Sequence, residues 1–133
     1  MIRAVTDTHT IIWYLYDDAR LSPTARTWIE DAAAAGDQIA LSTITLAEII
    51  YLIEKGRVSA AALTRLMTEL DATDAVLVEI PFDRHIVRAM SLVARTEVPD
   101  LPDRIISATA LHLGVPIISR DRRIQASGLR TVW

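Results

Sequence analysis

The run Ile2-Arg3-Ala4-Val5-Thr6-Asp7-Thr8-His9-Thr10-Ile11-Ile12-Trp13 decides the fold. Its β-branched opening, Ile2–Thr6, reads as a strand, and an apolar stretch over about 8–16 reads as a helix, with Asp7 at the junction. The same alternation repeats outward along the chain. Strands are expected at Ile2–Thr6, Ile39–Ser42, Val76–Ile80, Pro116–Ser119 and Thr131–Trp133. Helices are expected over about 8–16, 23–35, 43–55, 59–71, 83–95, 102–113 and 121–127. Ser22-Pro23 supplies an N-cap and a proline at the first helical position, and Gly36, Gly56 and Gly114 follow helix ends. Strands spaced by helices imply a mostly parallel sheet covered on both faces, a three-layer α/β/α sandwich.

The 133 residues suit one domain over residues 1–133, large enough to bury about two-thirds of the surface of its unfolded chain. Cysteine is absent, which excludes disulfide scaffolds, thiol catalysis and zinc–thiolate sites. The longest apolar run, Ile11–Tyr16, is six residues, against the ~20 a membrane helix needs. With no signal peptide in evidence, the expectation is a cytoplasmic protein without a membrane partner.

The net charge of −3 argues against a protein that coats nucleic acid by bulk electrostatics, but not against one that cuts it. Residues 101–133 hold five arginines (Arg104, Arg120, Arg122, Arg123 and Arg130) against Asp103 and Asp121. Arginine suits bidentate phosphate contacts, although a GC-rich genome produces the same bias.

In open parallel sheets, sites form beyond the carboxyl ends of the strands. Asp7 and Asp121 stand just past two expected strands, while Asp100 and Asp103 stand at a helix start. Helix capping alone accounts for a lone acid at any of these positions. Glu48 resists that account. It lies within Thr43–Lys55, apolar nearly all round, with Ile44 and Leu52 as its i−4 and i+4 neighbours. A glutamate there needs a cation, strong donors or a shifted pKa. Four acids converging on one sheet end would repel, a pair ~4 Å apart costing about 4 kcal/mol at an effective dielectric of ~20. A divalent cation relieves such a cluster, and an all-oxygen donor set suits Mg²⁺ or Mn²⁺. His9, His85 and His112 are scattered without ligand spacing and read as surface or packing residues.

Asp7-Thr8-His9…Trp13, Ser42…Glu48, Leu101-Pro102-Asp103-Arg104-Ile105-Ile106-Ser107-Ala108-Thr109-Ala110 and Ser119-Arg120-Asp121 together resemble PIN-domain ribonucleases, and more narrowly the VapC-type toxins of bacterial toxin–antitoxin pairs. The similarity spans almost the whole chain. It implies that Asp7, Glu48, Asp103 and Asp121 form an acidic metal site for Mg²⁺ (or Mn²⁺), with one or two ions. It also implies Mg²⁺-dependent endoribonuclease chemistry that leaves 5′-phosphate and 3′-hydroxyl ends. Ser119 stands where the family often has threonine, either bonding a site carboxylate or water or merely ending a strand. Asp100 matches an acid of one branch of the family, as an auxiliary group or only a cap. Arg104 and Arg120, with Arg122 and Arg123, are placed to meet the RNA backbone, although Arg104 could equally pair with a helix carboxylate.

As partners, the resemblance implies a small cognate antitoxin of the VapB type. Ile11–Tyr16 and the apolar helix around Ile49–Ile53 offer surplus apolar surface for a partner groove or a homodimer, unless the core takes it up. A receiver-type phosphoacceptor would need a lysine after a late strand, whereas Lys55, the only lysine, ends a helix. The remaining alternative is a catalytically silent PIN-like module for RNA binding or assembly, against which the intact set of acids speaks.

Overall fold

The computed structural model describes residues 1–133, and all five expected strands form. They are β1 (Ile2–Thr6), β2 (Gln38–Ser42), β3 (Leu77–Ile80), β4 (Ile117–Ile118) and β5 (Thr131–Val132), all parallel, in the order β3-β2-β1-β4-β5. Seven helices fill the connections: α1 (Thr8–Leu15), α2 (Pro23–Ala34), α3 (Thr43–Glu54), α4 (Ala61–Asp71), α5 (Arg84–Met90), α6 (Leu101–Leu113) and α7 (Arg122–Ala126).

Period-two alternation sends neighbouring strand residues to opposite faces. Ala4, Ile39, Leu41 and Ile118 enter an apolar cluster with residues of α1, α2, α3 and α4. Val5, Ala40 and Ile117 enter a second cluster with residues of α5, α6 and α7. The sheet is thus buried on both sides, and its strands read as near-continuous apolar runs. Ile39, Leu41, Ile117 and Ile118 are wholly buried, each stabilising the fold by about 1.5–3 kcal/mol. The three-layer α/β/α expectation holds. No helix is long and apolar enough to cross a membrane.

One helix ends early. The pattern predicts a helix over 83–95, but α5 stops at Met90. Ser91 Oγ donates to the Arg88 carbonyl at 2.7 Å, and Arg104 Nη2 donates to the carbonyls of Met90 and Val93 at 3.2 and 3.3 Å. Beyond Met90 the amides of Leu92 and Val93 bond three residues back, to the carbonyls of Ala89 and Met90, and the helix tightens into turns. At its own far end α6 closes on Gly114, whose φ of +69° suits a residue without a Cβ.

The strand order locates the one natural crevice of the sheet. From β1 the sheet extends one way through β2 to β3 and the other way through β4 to β5. The order therefore reverses at β1, and a crevice opens beyond the carboxyl ends of β1 and β4. Asp7 follows the first of these strands, and Ser119 to Asp121 follow the second.

Candidate active site

Asp7, Glu48, Asp100, Asp103 and Asp121 line one cleft of about 320 Å³, together with Thr8, His9, Trp13 and Arg120. The acids arrive from separate segments: the end of β1, the middle of α3, the start of α6 and the start of α7. All four acids of the expected metal set are brought together, and Asp100 joins them.

Capping and cleft-lining are not alternatives here. Asp7 is the N-cap of α1, its Oδ1 accepting from the Thr10 amide at 2.9 Å. Asp100 caps α6, its Oδ1 accepting from the Asp103 amide at 3.0 Å. Asp121 caps α7, its Oδ1 accepting from the amides of Arg123 and Ile124 at 2.8 and 3.1 Å. One oxygen of each carboxylate orients the side chain on its helix, which leaves the other oxygen for the cleft.

The second oxygens differ in their company. Asp7 Oδ2 accepts from the Ser119 hydroxyl at 2.5 Å, and Ser119 Oγ in turn accepts from the Asp121 amide at 3.0 Å. Ser119 therefore does more than end a strand: it joins two of the acids. Glu48 Oε1 accepts from the Thr8 hydroxyl at 2.6 Å, and Thr8 Oγ1 lies 3.1 Å from Thr45 Oγ1. Because Thr8 gives its proton to the bond with Glu48, Thr45 is the donor in that pair. No three acidic or histidine side chains stand close enough to form a ready-made cation shell. Asp7 and Glu48 are held by hydroxyls instead.

The electrostatics record the crowding. Burial raises Asp103 from its ordinary 3.8 to about 7, and the charges of Asp100, Asp121, Glu48 and Asp7 push it the same way. Burial also raises Glu48, opposed by the Thr8 hydrogen bond and reinforced by Asp100. Burial and mutual repulsion thus act in the same direction on these two acids, favouring their protonated forms.

The arginines separate. Arg120 lines the cleft, but its guanidinium stacks over Trp13, 4.6 Å from the ring centroid, and it belongs to no ion pair. Arg104 does not line the cleft. It is turned toward the end of α5, bonded to the carbonyls of Met90 and Val93, which corrects its assignment to substrate. Neither does it pair with a helix carboxylate. Arg122 and Arg123 are exposed on α7.

Sequence reasoning missed Thr8, Thr45 and His9. Thr8 sits beside Asp7, and Thr45 lies three residues before Glu48, one helical turn away; the hydroxyl at that spacing was the available signal. His9, read as a surface or packing residue, is exposed and also borders the cleft, its ring 5.8 Å from that of Trp13.

The PIN domain family model matches residues 4–128. Ribonuclease VapC22 of Mycobacterium tuberculosis is 28% identical over 127 residues, 95% of this chain and 92% of that protein. Among solved structures, VapBC2 from Rickettsia felis bound to a promoter DNA fragment superposes with a TM-score of 0.71 at 19% identity, covering 98% of this chain and 97% of that one. DNA-bound VapBC from Salmonella typhimurium gives 0.65 at 22% identity, with the same coverage.

Proposed function

The chain belongs to the PIN domain family, and on that footing we propose that it is a metal-dependent endoribonuclease acting as the toxin of a toxin–antitoxin pair. One observation carries the reading: five carboxylates from four segments line a single cleft at the point where the strand order reverses. The relative named as a ribonuclease and the VapBC structures support it.

The donor set fits a hard divalent cation. Every candidate ligand is a carboxylate oxygen, as Mg²⁺ and Mn²⁺ favour. A carboxyl whose titration is pushed up to about 7 by burial, and further by the charges of its neighbours, is one that a cation would free. Asp7, Glu48, Asp103 and Asp121 would hold the ion, with Asp100 auxiliary. When bound, it supplies Lewis-acid polarisation of the phosphodiester and a lowered pKa for attacking water.

The chain's own residues do the rest. Ser119 holds Asp7 Oδ2, and the amides of Thr10, Arg123 and Ile124 hold the Oδ1 atoms of Asp7 and Asp121. Thr8, oriented by Thr45, holds Glu48 at a set height in the cleft. Glu48, held by Thr8 and with its affinity for a proton raised by burial, is suited to take one from water. Arg120 offers a cation to phosphate without neutralising the acids. The assembled toxin would face a small antitoxin partner, and homodimers of the toxin belong to the same proposal.

Purified protein incubated with RNA and Mg²⁺ should cleave it, and chelation or Asp7→Asn should abolish the cutting. Undiminished cleavage by Asp7→Asn in chelator would overturn the proposal. RNA binding with no cleavage under any divalent ion would instead identify a silent RNA-binding module.

A further inference from the structure

The acidic cleft sets a problem for an enzyme that must receive phosphates, because its carboxylates repel them. Cations are needed at its edge, held where they cannot collapse onto the acids. Two arginines meet that need from distant parts of the chain. Arg20 and Arg120 both stand over the indole of Trp13, their guanidinium carbons 5.1 and 4.6 Å from its centroid. Trp13 is only 5% exposed, with Trp133 edge-on against it at 5.9 Å. Such a ring is a fixed plane, and cation stacking on it is worth about 0.5–1 kcal/mol at an exposed site.

The two guanidiniums are oriented and still available. Arg20 is held by Asp18, Nε donating to Oδ1 at 3.0 Å and Nη2 to Oδ2 at 2.8 Å, which leaves Nη1 free. Arg120 has no carboxylate partner although carboxylates line the cleft it borders. Both side chains are exposed. The ring beneath them is too buried to stack on a base, so the assembly can address backbone phosphate and not sequence.

We propose that Arg20 and Arg120, ordered on Trp13, form a phosphate-binding platform that seats single-stranded RNA at the edge of the acid cleft. The proposal rests on the ribonuclease reading and adds to it the path of the substrate backbone. Arg20 and Arg120 are binding residues; Trp13 is a positioning residue.

The test measures binding of a labelled single-stranded RNA oligonucleotide to the Asp103→Asn protein, expected to leave the RNA uncut, across a range of KCl concentrations. Arg20→Gln and Arg120→Gln should each flatten the slope of log Kd against log salt by about 0.7, the value for one lost phosphate contact on a single strand. Arg88→Gln, an exposed arginine of α5 outside the cleft, should leave the slope unchanged. Trp13→Leu should flatten the slope by the sum of the two arginine effects, and Trp13→Phe should restore most of it. The arginine variants decide the matter even if Trp13→Leu does not fold. Bound RNA with an unchanged slope in both arginine variants, or a change confined to Arg120→Gln, overturns the platform while wild-type cleavage keeps the ribonuclease reading intact. No RNA binding, together with no cleavage by wild type, overturns both.

Discussion

Ser119 Oγ donates to Asp7 Oδ2 at 2.5 Å, joining residues 112 positions apart. The same oxygen accepts from the Asp121 amide, so one hydroxyl ties the carboxylate of one acid to the backbone of another. Ser119→Ala should lower cleavage about 10–100-fold, as loss of a partner behind a metal ligand does. Ser119→Thr should retain most activity. In steady-state assays the loss should be accompanied by a higher Mg²⁺ requirement; an alanine variant with wild-type rate and Mg²⁺ dependence would remove Ser119 from the site.

Asp103 makes the metal-free protein sensitive to pH. Its carboxyl titrates near 7 when folded and near 3.8 when unfolded. Between those values the folded chain holds a proton that the unfolded chain has released, so stability is full below about pH 4 and falls as pH rises to about 7. Solvent reaches part of this carboxyl and screens the effect, leaving an expected drop in Tm of about 3 °C. Thermal melts in chelator should show that drop in wild type and not in Asp103→Asn. Added Mg²⁺ should raise the Tm of wild type at pH 8 and do little for the variant.

Thr8 favours the charged form of Glu48 against burial. Thr8→Val removes that donor, so Glu48 should titrate at higher pH and the acid limb of the kcat–pH profile should move up with it. Thr8→Ser should restore the wild-type profile. A valine variant with lower activity but an unmoved acid limb would assign Thr8 to packing alone.

Arg104 is expected to matter for stability and not for RNA. Its guanidinium ties α6 to the end of α5 through the carbonyls of Met90 and Val93. Arg104→Ala should cost about 1–3 kcal/mol in urea unfolding, because two charge-assisted bonds between α6 and the end of α5 are lost. The salt dependence of RNA binding should stay as in wild type. A flatter salt slope would return Arg104 to the substrate.

Much of the fold and site was legible because the causes are local. A β-branched run followed by an acid marks where β1 ends and α1 begins, and Asp7, Asp100 and Asp121 are all found where a cap is expected. Glu48 was legible as a misfit among isoleucines and leucines, and its two remedies are both present: a hydroxyl donor and a raised pKa. The misses have distant causes. α5 gives way at Met90 to turns that receive an arginine from fourteen residues further on, and Arg120 stands over a tryptophan at the other end of the chain. Helical periodicity carries no trace of either.

The placement of β4 beside β1 has a consequence for how the protein is made. Asp7 is synthesised 112 residues before Ser119, and the pairing that unites them must close a loop of nearly the whole sequence. Until residue 121 has been added and β4 has docked, β1 ends in an aspartate without its serine partner, and the cleft lacks Arg120 and Asp121. On the proposed reading, a chain still growing on the ribosome has yet to assemble the cleft that would cut RNA.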